Sequence, residues 1–130
     1  MITPESSVLD AARMMLEKGV GSLLVSGKSG GAVGIVTERD MLRKVTAAKA
    51  DPGLLRVENI MSSPLITAPS ETSIGDAAKI MIDHQIKRLV VTDPAGELQG
   101  LITMTDIVRW VAGQEQLSDS LIDYLMYSVP

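Results

Sequence analysis

Residues Glu5–Arg43 recur as Glu71–Arg109 at a constant offset of 66 positions with no gap, and 13 of the 39 aligned residues are identical. Among the identities are Asp10/Asp76, Met15/Met81, Gly34/Gly100, Thr37/Thr103 and Asp40/Asp106, and swaps such as Val8/Ile74, Arg13/Lys79 and Ile35/Leu101 stay within a chemical class. A duplicated block of this size is a supersecondary unit that buries an apolar face against its copy, so the two halves are expected to make one fold.

Each copy carries the same order of signals. In the first, Ser6 or Ser7 opens a helix whose apolar residues Val8, Ala11, Ala12, Met15 and Leu16 fall at helical spacing, and Gly19-Val-Gly21 ends it. In the second, Thr72 or Ser73 opens the equivalent helix, with Ile74, Ala77, Ala78, Met81 and Ile82 expected on its inner face. Strands are predicted over 22–26 and 88–92, then over 32–36 and 98–102, separated by the turns at Gly27–Gly31 and Asp93–Gly96. A second helix begins near Thr37 or Thr103 and carries Met41, Leu42 and Val45, or Ile107, Val108 and Val111. A short extra strand is expected at Leu65–Thr67. The domain reading is a first repeat over 1–46, a linker over 47–58, a second repeat over 59–112 and a tail over 113–130. The tail reads as one more helix capped near Ser118, packing on the body or on a second subunit.

Composition narrows the function classes. The chain has 130 residues, a net charge of −4, one His, no Cys, no Phe, one Trp and two Tyr. Negative charge disfavours non-specific phosphate-backbone binding, and scarce aromatics remove the stacking platforms of single-strand binders, so no nucleic acid partner is expected. Zero cysteines exclude disulfides and thiolate chemistry and fit a reducing compartment, hence a cytoplasmic location. No apolar run approaches the roughly 20 residues of a membrane span, so no membrane partner is expected. With His84 alone, placed at a helix end, neither a metal site nor a nucleophile constellation assembles, and the chain is read as no enzyme, with no catalytic and no metal residues.

The motif Gly34-Ile-Val-Thr37-Glu-Arg-Asp40, repeated as Gly100-Leu-Ile-Thr103-Met-Thr-Asp106, is where chemistry is expected. A strand running straight into a helix places each Thr at the helix N-terminus, where unpaired N–H groups and the dipole favour an anion such as phosphate. Each Asp lies one turn further on, as an acceptor-only carboxylate able to take both hydrogens of a vicinal diol such as that of ribose. Gly34 and Gly100 leave room for a flat base against the strand. The same residues read equally as a Thr N-cap with a favourable first-turn charge, and the two readings stay open on the residues alone.

The double unit resembles a tandem pair of CBS domains, the cystathionine-β-synthase type, often called a Bateman module. The resemblance rests on Ser-Val-Leu-Asp-Ala-Ala-Arg-Met-Met (7–15), Gly-Val-Gly-Ser-Leu-Leu-Val (19–25) and the Gly-x-x-Thr-x-x-Asp stretch, all recurring in the second half. Asn-Ile-Met-Ser-Ser-Pro-Leu-Ile-Thr (59–67) is similar to the lead-in of a second CBS repeat, and the resemblance ends at about Val111. It implies an α/β (α+β) fold of two β-α-β-β-α units packed about a pseudo-twofold, with two clefts between them. It also implies a regulatory, signal-transducing module that requires no cofactor, binds AMP, ADP, ATP or S-adenosylmethionine, and pairs into a homodimer acting on an unknown effector protein.

By match to the family motif, Asp40 and Asp106 would hold ribose, while Thr37, Arg39, Thr103 and Thr105 would face phosphate. Lys87 and Arg88 would neutralise phosphate in one cleft; their counterparts Gly21 and Ser22 are uncharged, so the clefts are expected to be unequal. Thr3, Gly21, Ser22, Ile66, Thr67 and Ile86 would border the base. Thr3 is placed where Thr67 stands, and the first strand is expected to be cut short, as in a chain trimmed at its N-terminus. The alternative function is a structural or oligomerisation module with no physiological ligand.

Overall fold

The computed structural model describes residues 1–115, so the expected tail helix capped near Ser118 lies outside the described residues. The fold is mixed α/β, and the chain divides into two compact units, Met1–Leu65 and one beginning at Ile66.

In the first unit α1 (Val8–Lys18) starts at Ser7, whose hydroxyl accepts the Asp10 N–H at 3.0 Å, with Asp10 adding its charge to the first turn. It stops at Gly19, which takes the left-handed conformation (φ 65°) that spares a side chain from clashing with the carbonyl. Strands β1 (Ser22–Ser26) and β2 (Ala32–Thr37) pair antiparallel, with Leu24 opposite Ile35 and Ser22 opposite Thr37. The connecting loop closes through Gly27, whose N–H donates to the Gly31 carbonyl at 2.7 Å. Ile2 adds one parallel bridge beside Val25, its N–H donating to the Leu24 carbonyl at 2.9 Å. After β2 comes α2 (Glu38–Met41), which widens into a π-helical turn over Leu42–Thr46.

The second unit repeats this plan. The Ser73 hydroxyl accepts from the Asp76 N–H and opens α3 (Ile74–Asp83). A three-stranded sheet follows, in which β3 (Thr67–Pro69) runs parallel to β4 (Arg88–Thr92), and β4 runs antiparallel to β5 (Leu98–Thr103). Pairings and the bulge recur at the 66-residue offset, as Ser22–Thr37 and Arg88–Thr103 illustrate. α4 (Met104–Glu115) is a regular α-helix where the first unit has its π turn.

Each unit has its own core, centred on Val8, Val25, Val36 and Val57 in one and on Met81, Leu89, Met104 and Ile107 in the other. Fully burying a side chain of this kind contributes about 1.5–3 kcal/mol. Three expectations from helical spacing need correction. Leu16 (85% exposed), Ile82 (61%) and Leu42 (61%) all face outward. In α1 and α3 Met15 and Met81 take the inward position instead.

The segment between the repeats is more than a spacer. Val57 and Ile60 are buried in the first core. The Val8 N–H donates to the Leu55 carbonyl, and the Val57 and Glu58 N–H groups donate to the carbonyls of Ser6 and Pro4, at 2.8–3.0 Å. The extra strand forms at Thr67–Pro69 rather than Leu65–Thr67, because its parallel pairing to Val90–Thr92 sets the register.

Candidate functional site

In the second repeat the β4–β5 ladder delivers the motif. Arg88 is paired directly with Thr103, so both side chains leave the same face of the sheet at adjacent positions. Chain and helix are joined by the Met104 N–H, which donates to the Lys87 carbonyl at 2.8 Å. Thr103 and Asp106 then cap one another: the Thr103 N–H donates to Asp106 Oδ2 at 2.8 Å, and the Asp106 N–H donates to Thr103 Oγ1 at 3.1 Å. Among the described residues Asp106 Oδ1 has no partner, and the residue is exposed. The N-terminus of α4 is where an anion could be accepted, with Arg88 paired opposite Thr103.

The first repeat builds the same cap and then closes it. Asp40 Oδ2 accepts from the Thr37 N–H (2.9 Å) and hydroxyl (3.1 Å), and the Asp40 N–H donates back to Thr37 Oγ1 at 3.2 Å. Its other oxygen, Oδ1, lies 3.3 Å from Lys44 Nζ, which also donates to the Ile60 carbonyl at 2.8 Å. Asp40 is only 8% exposed. Over the strand, Ser62 exchanges two backbone hydrogen bonds with Ile35, at 2.9 and 3.1 Å. A Cβ on Gly34 would lie 2.9 Å from both Met61 Sδ and the Ser62 carbonyl oxygen, while one on Gly100 would meet no described atom within 4 Å. The space expected for a base beside Gly34 is therefore filled by the chain itself.

The remaining candidates are more scattered. Arg39 is exposed, and Gly21 and Ser22 are half-buried at the start of β1. Ile66 and Ile86 lean on the second core, and Thr67 is exposed opposite Val90. The sheet register corrects one equivalence. Ile2 bridges Val25 as Ala68 pairs with Val91, so Met1, not Thr3, stands in the place of Thr67. The Thr3 hydroxyl instead shares a 2.6 Å hydrogen bond with Ser6. His84 is the C-cap of α3, its Nδ1 2.9 Å from the Ile80 carbonyl oxygen. Lys44, Met61 and Ser62 were not among the candidates. A Lys four residues after an Asp was the available signal, but nothing in the sequence brings Ile60 to it.

Comparison with known proteins names the fold. The family model for the CBS domain matches residues 1–47 and again 57–113. The chain therefore belongs to the CBS-domain family, as a tandem pair. A protein with CBS domains from Burkholderia ambifaria is 35% identical and superposes with a TM-score of 0.81, over 92% of this chain and 86% of that one. CBSX2, whose crystal structure is a complex with AMP, is 26% identical with a TM-score of 0.70, over 88% of each chain. An uncharacterized protein of Methanopyrus kandleri is 35% identical over 107 residues, which are 82% of this chain. The chain spans about half the length of that relative, 55% of it. No helix among the described residues is long and apolar enough to cross a membrane.

Proposed function

We propose that the chain is a regulatory module that binds an adenosine-containing ligand, AMP, ADP, ATP or S-adenosylmethionine, and passes its occupancy to an effector protein. The observation that carries the reading is the group at the head of α4. Asp106 offers an exposed carboxylate oxygen for a ribose diol, one helical turn from Thr103 and beside Arg88. Thr103, Thr105, Lys87 and Arg88 are the phosphate side, with Ile66, Thr67 and Ile86 toward the base. The first repeat carries the matching Thr37, Arg39 and Asp40, with Gly21 and Ser22 as its wall candidates. The AMP complex of the related CBSX2 supports the ligand class. Signalling follows from any difference in ligand affinity between two conformations or between monomer and homodimer.

The reciprocal Thr–Asp caps favour one other reading. They employ the motif residues without a ligand, as a structural or oligomerisation module would. Thermal unfolding with millimolar AMP, ADP, ATP, S-adenosylmethionine and a GTP control separates the two. Ligand at about 100 times its Kd adds roughly 2.7 kcal/mol, a rise of several degrees. A rise selective for adenosyl ligands supports the sensor, and none with any of them supports the structural module.

A further inference from the structure

We infer that the chain associates with a second copy of itself head to tail, the outward helix face of the first unit in one copy docking on the outward helix face of the second unit in the other. The inference goes beyond the function proposed above and does not depend on a ligand.

The apolar part of the argument is a recurrence. In the first unit α1 packs beside α2, and in the second α3 packs beside α4. Each helix pair leaves large apolar side chains in water, Leu16 and Leu42 in one, Ile82 and Trp110 in the other. Trp110, the one tryptophan of the chain, is 52% exposed. Leu16 and Ile82 hold the same place at the 66-residue offset, each one residue after a buried methionine. A lone exposed leucine is ordinary on a protein surface. Exposed apolar residues on both helix pairs, rimmed by charges, make surfaces suited to burial against a partner.

Charge decides which face meets which. The exposed charges of α1, α2 and the π turn are Arg13, Lys18, Arg39 and Arg43 against Asp10, Glu17 and Glu38, since Lys44 is paired with Asp40. At the matched positions of the second unit Lys18 is replaced by His84 and Arg39 by Thr105. There Lys79 and Arg109 stand against Asp76, Asp83 and Asp106, all of them exposed. The first face therefore leans positive and the second negative. The aligned blocks lean the same way: Glu5–Arg43 holds five Lys and Arg against five Asp and Glu, and Glu71–Arg109 holds four against six. Pairing like faces sets the acidic unit against its own copy, whereas pairing unlike faces sets it against the cationic one. Electrostatic complementarity of this kind fixes register and orientation, while the apolar residues supply the burial.

Because the chain has no Cys, single introduced cysteines report the contact cleanly. Full chains carrying Leu16→Cys and Ile82→Cys, one of them with a size tag, are mixed in equal amounts and oxidised, after each is checked by circular dichroism. Random pairing gives twice as much mixed product as either like-paired product, and the expected result is a mixed product in clear excess of that ratio. Where either variant does not fold, Leu42→Cys mixed with Trp110→Cys takes its place. Wild type is expected to sediment as more than one chain, with association at least tenfold weaker in Ile82→Asp. Mixed product at or below the random ratio, or no cross-linked product, would overturn the head-to-tail contact. So would a wild type that sediments as a single chain, or an Ile82→Asp that associates as tightly as wild type. None of these readouts involves a ligand, so failure here leaves the sensor function standing, and absence of any adenosyl thermal shift leaves this contact standing.

Discussion

Gly34 lies directly beneath Ser62, whose carbonyl oxygen would be 2.9 Å from a Cβ placed on the glycine. Ser62 is fixed there by its two hydrogen bonds to Ile35, so the backbone has little freedom to yield. Gly34→Ala is expected to cost about 1–3 kcal/mol, as overpacking does. Gly100→Ala, at the matching position with no described atom within 4 Å, is expected to stay within about 0.5 kcal/mol of wild type. Urea unfolding of both variants checks the pair, and equal losses would contradict the difference between the repeats.

Lys44 offers a second stability test. Its ammonium bridges Asp40 and the Ile60 carbonyl, but the side chain is 46% exposed, so solvent screens part of the attraction. Lys44→Met is expected to lose about 1–2 kcal/mol, mostly from the charged hydrogen bond to Ile60. Lys28→Met, in the exposed turn between β1 and β2, serves as the control. A loss at Lys44 no larger than at Lys28 would mean that the clasp contributes nothing.

Much of this architecture is legible in the sequence, for local reasons. Ser7, Ser73, Thr37 and Thr103 mark helix starts because a side-chain oxygen next to an apolar stripe is a chemical signal in itself. The 66-residue offset carries the strand register from one copy to the other. Contacts that depend on distant residues are not legible. Val57 reads as the end of a linker and Ile60 as the start of the second repeat, yet both complete the first core, since burial there is decided by the N-terminal segment that pairs with Val57 and Glu58. Leu16 and Ile82 fit the helical period as well as Met15 and Met81 do, and only the folded packing separates them. Both motif aspartates look alike in sequence. Four places further on, Lys44 reaches Asp40 Oδ1, where Trp110 follows Asp106.

The two repeats end their first helices with the same backbone twist on different residues. Gly19 has φ 65°, and Gln85, 66 positions later, has φ 54°. Gly19→Ala is expected to cost about 1 kcal/mol because it brings a Cβ into the left-handed region. Gln85→Ala already carries that strain and is expected to change stability by less than about 0.5 kcal/mol. Thermal unfolding of the two variants distinguishes them, and a comparable loss at both would contradict a conformational origin.

Met81 and Ile82 are neighbours in sequence with opposite environments, fully buried and 61% exposed. Met81→Ala is expected to cost about 2–5 kcal/mol through lost burial and the cavity left behind. Ile82→Ala is expected to cost under about 0.5 kcal/mol in a dilute monomeric sample. Denaturant midpoints read this out, and the reverse order would place the α3 stripe on the wrong face.

The most direct measurement is an amide proton–nitrogen correlation spectrum of the labelled chain, recorded while AMP is titrated. Saturable shifts are predicted at the motif residues, among them Arg88, Thr103, Thr105 and Asp106. No saturable shift with AMP or any other adenosyl ligand, or shifts confined to residues outside both motifs, would contradict a nucleotide-sensing module.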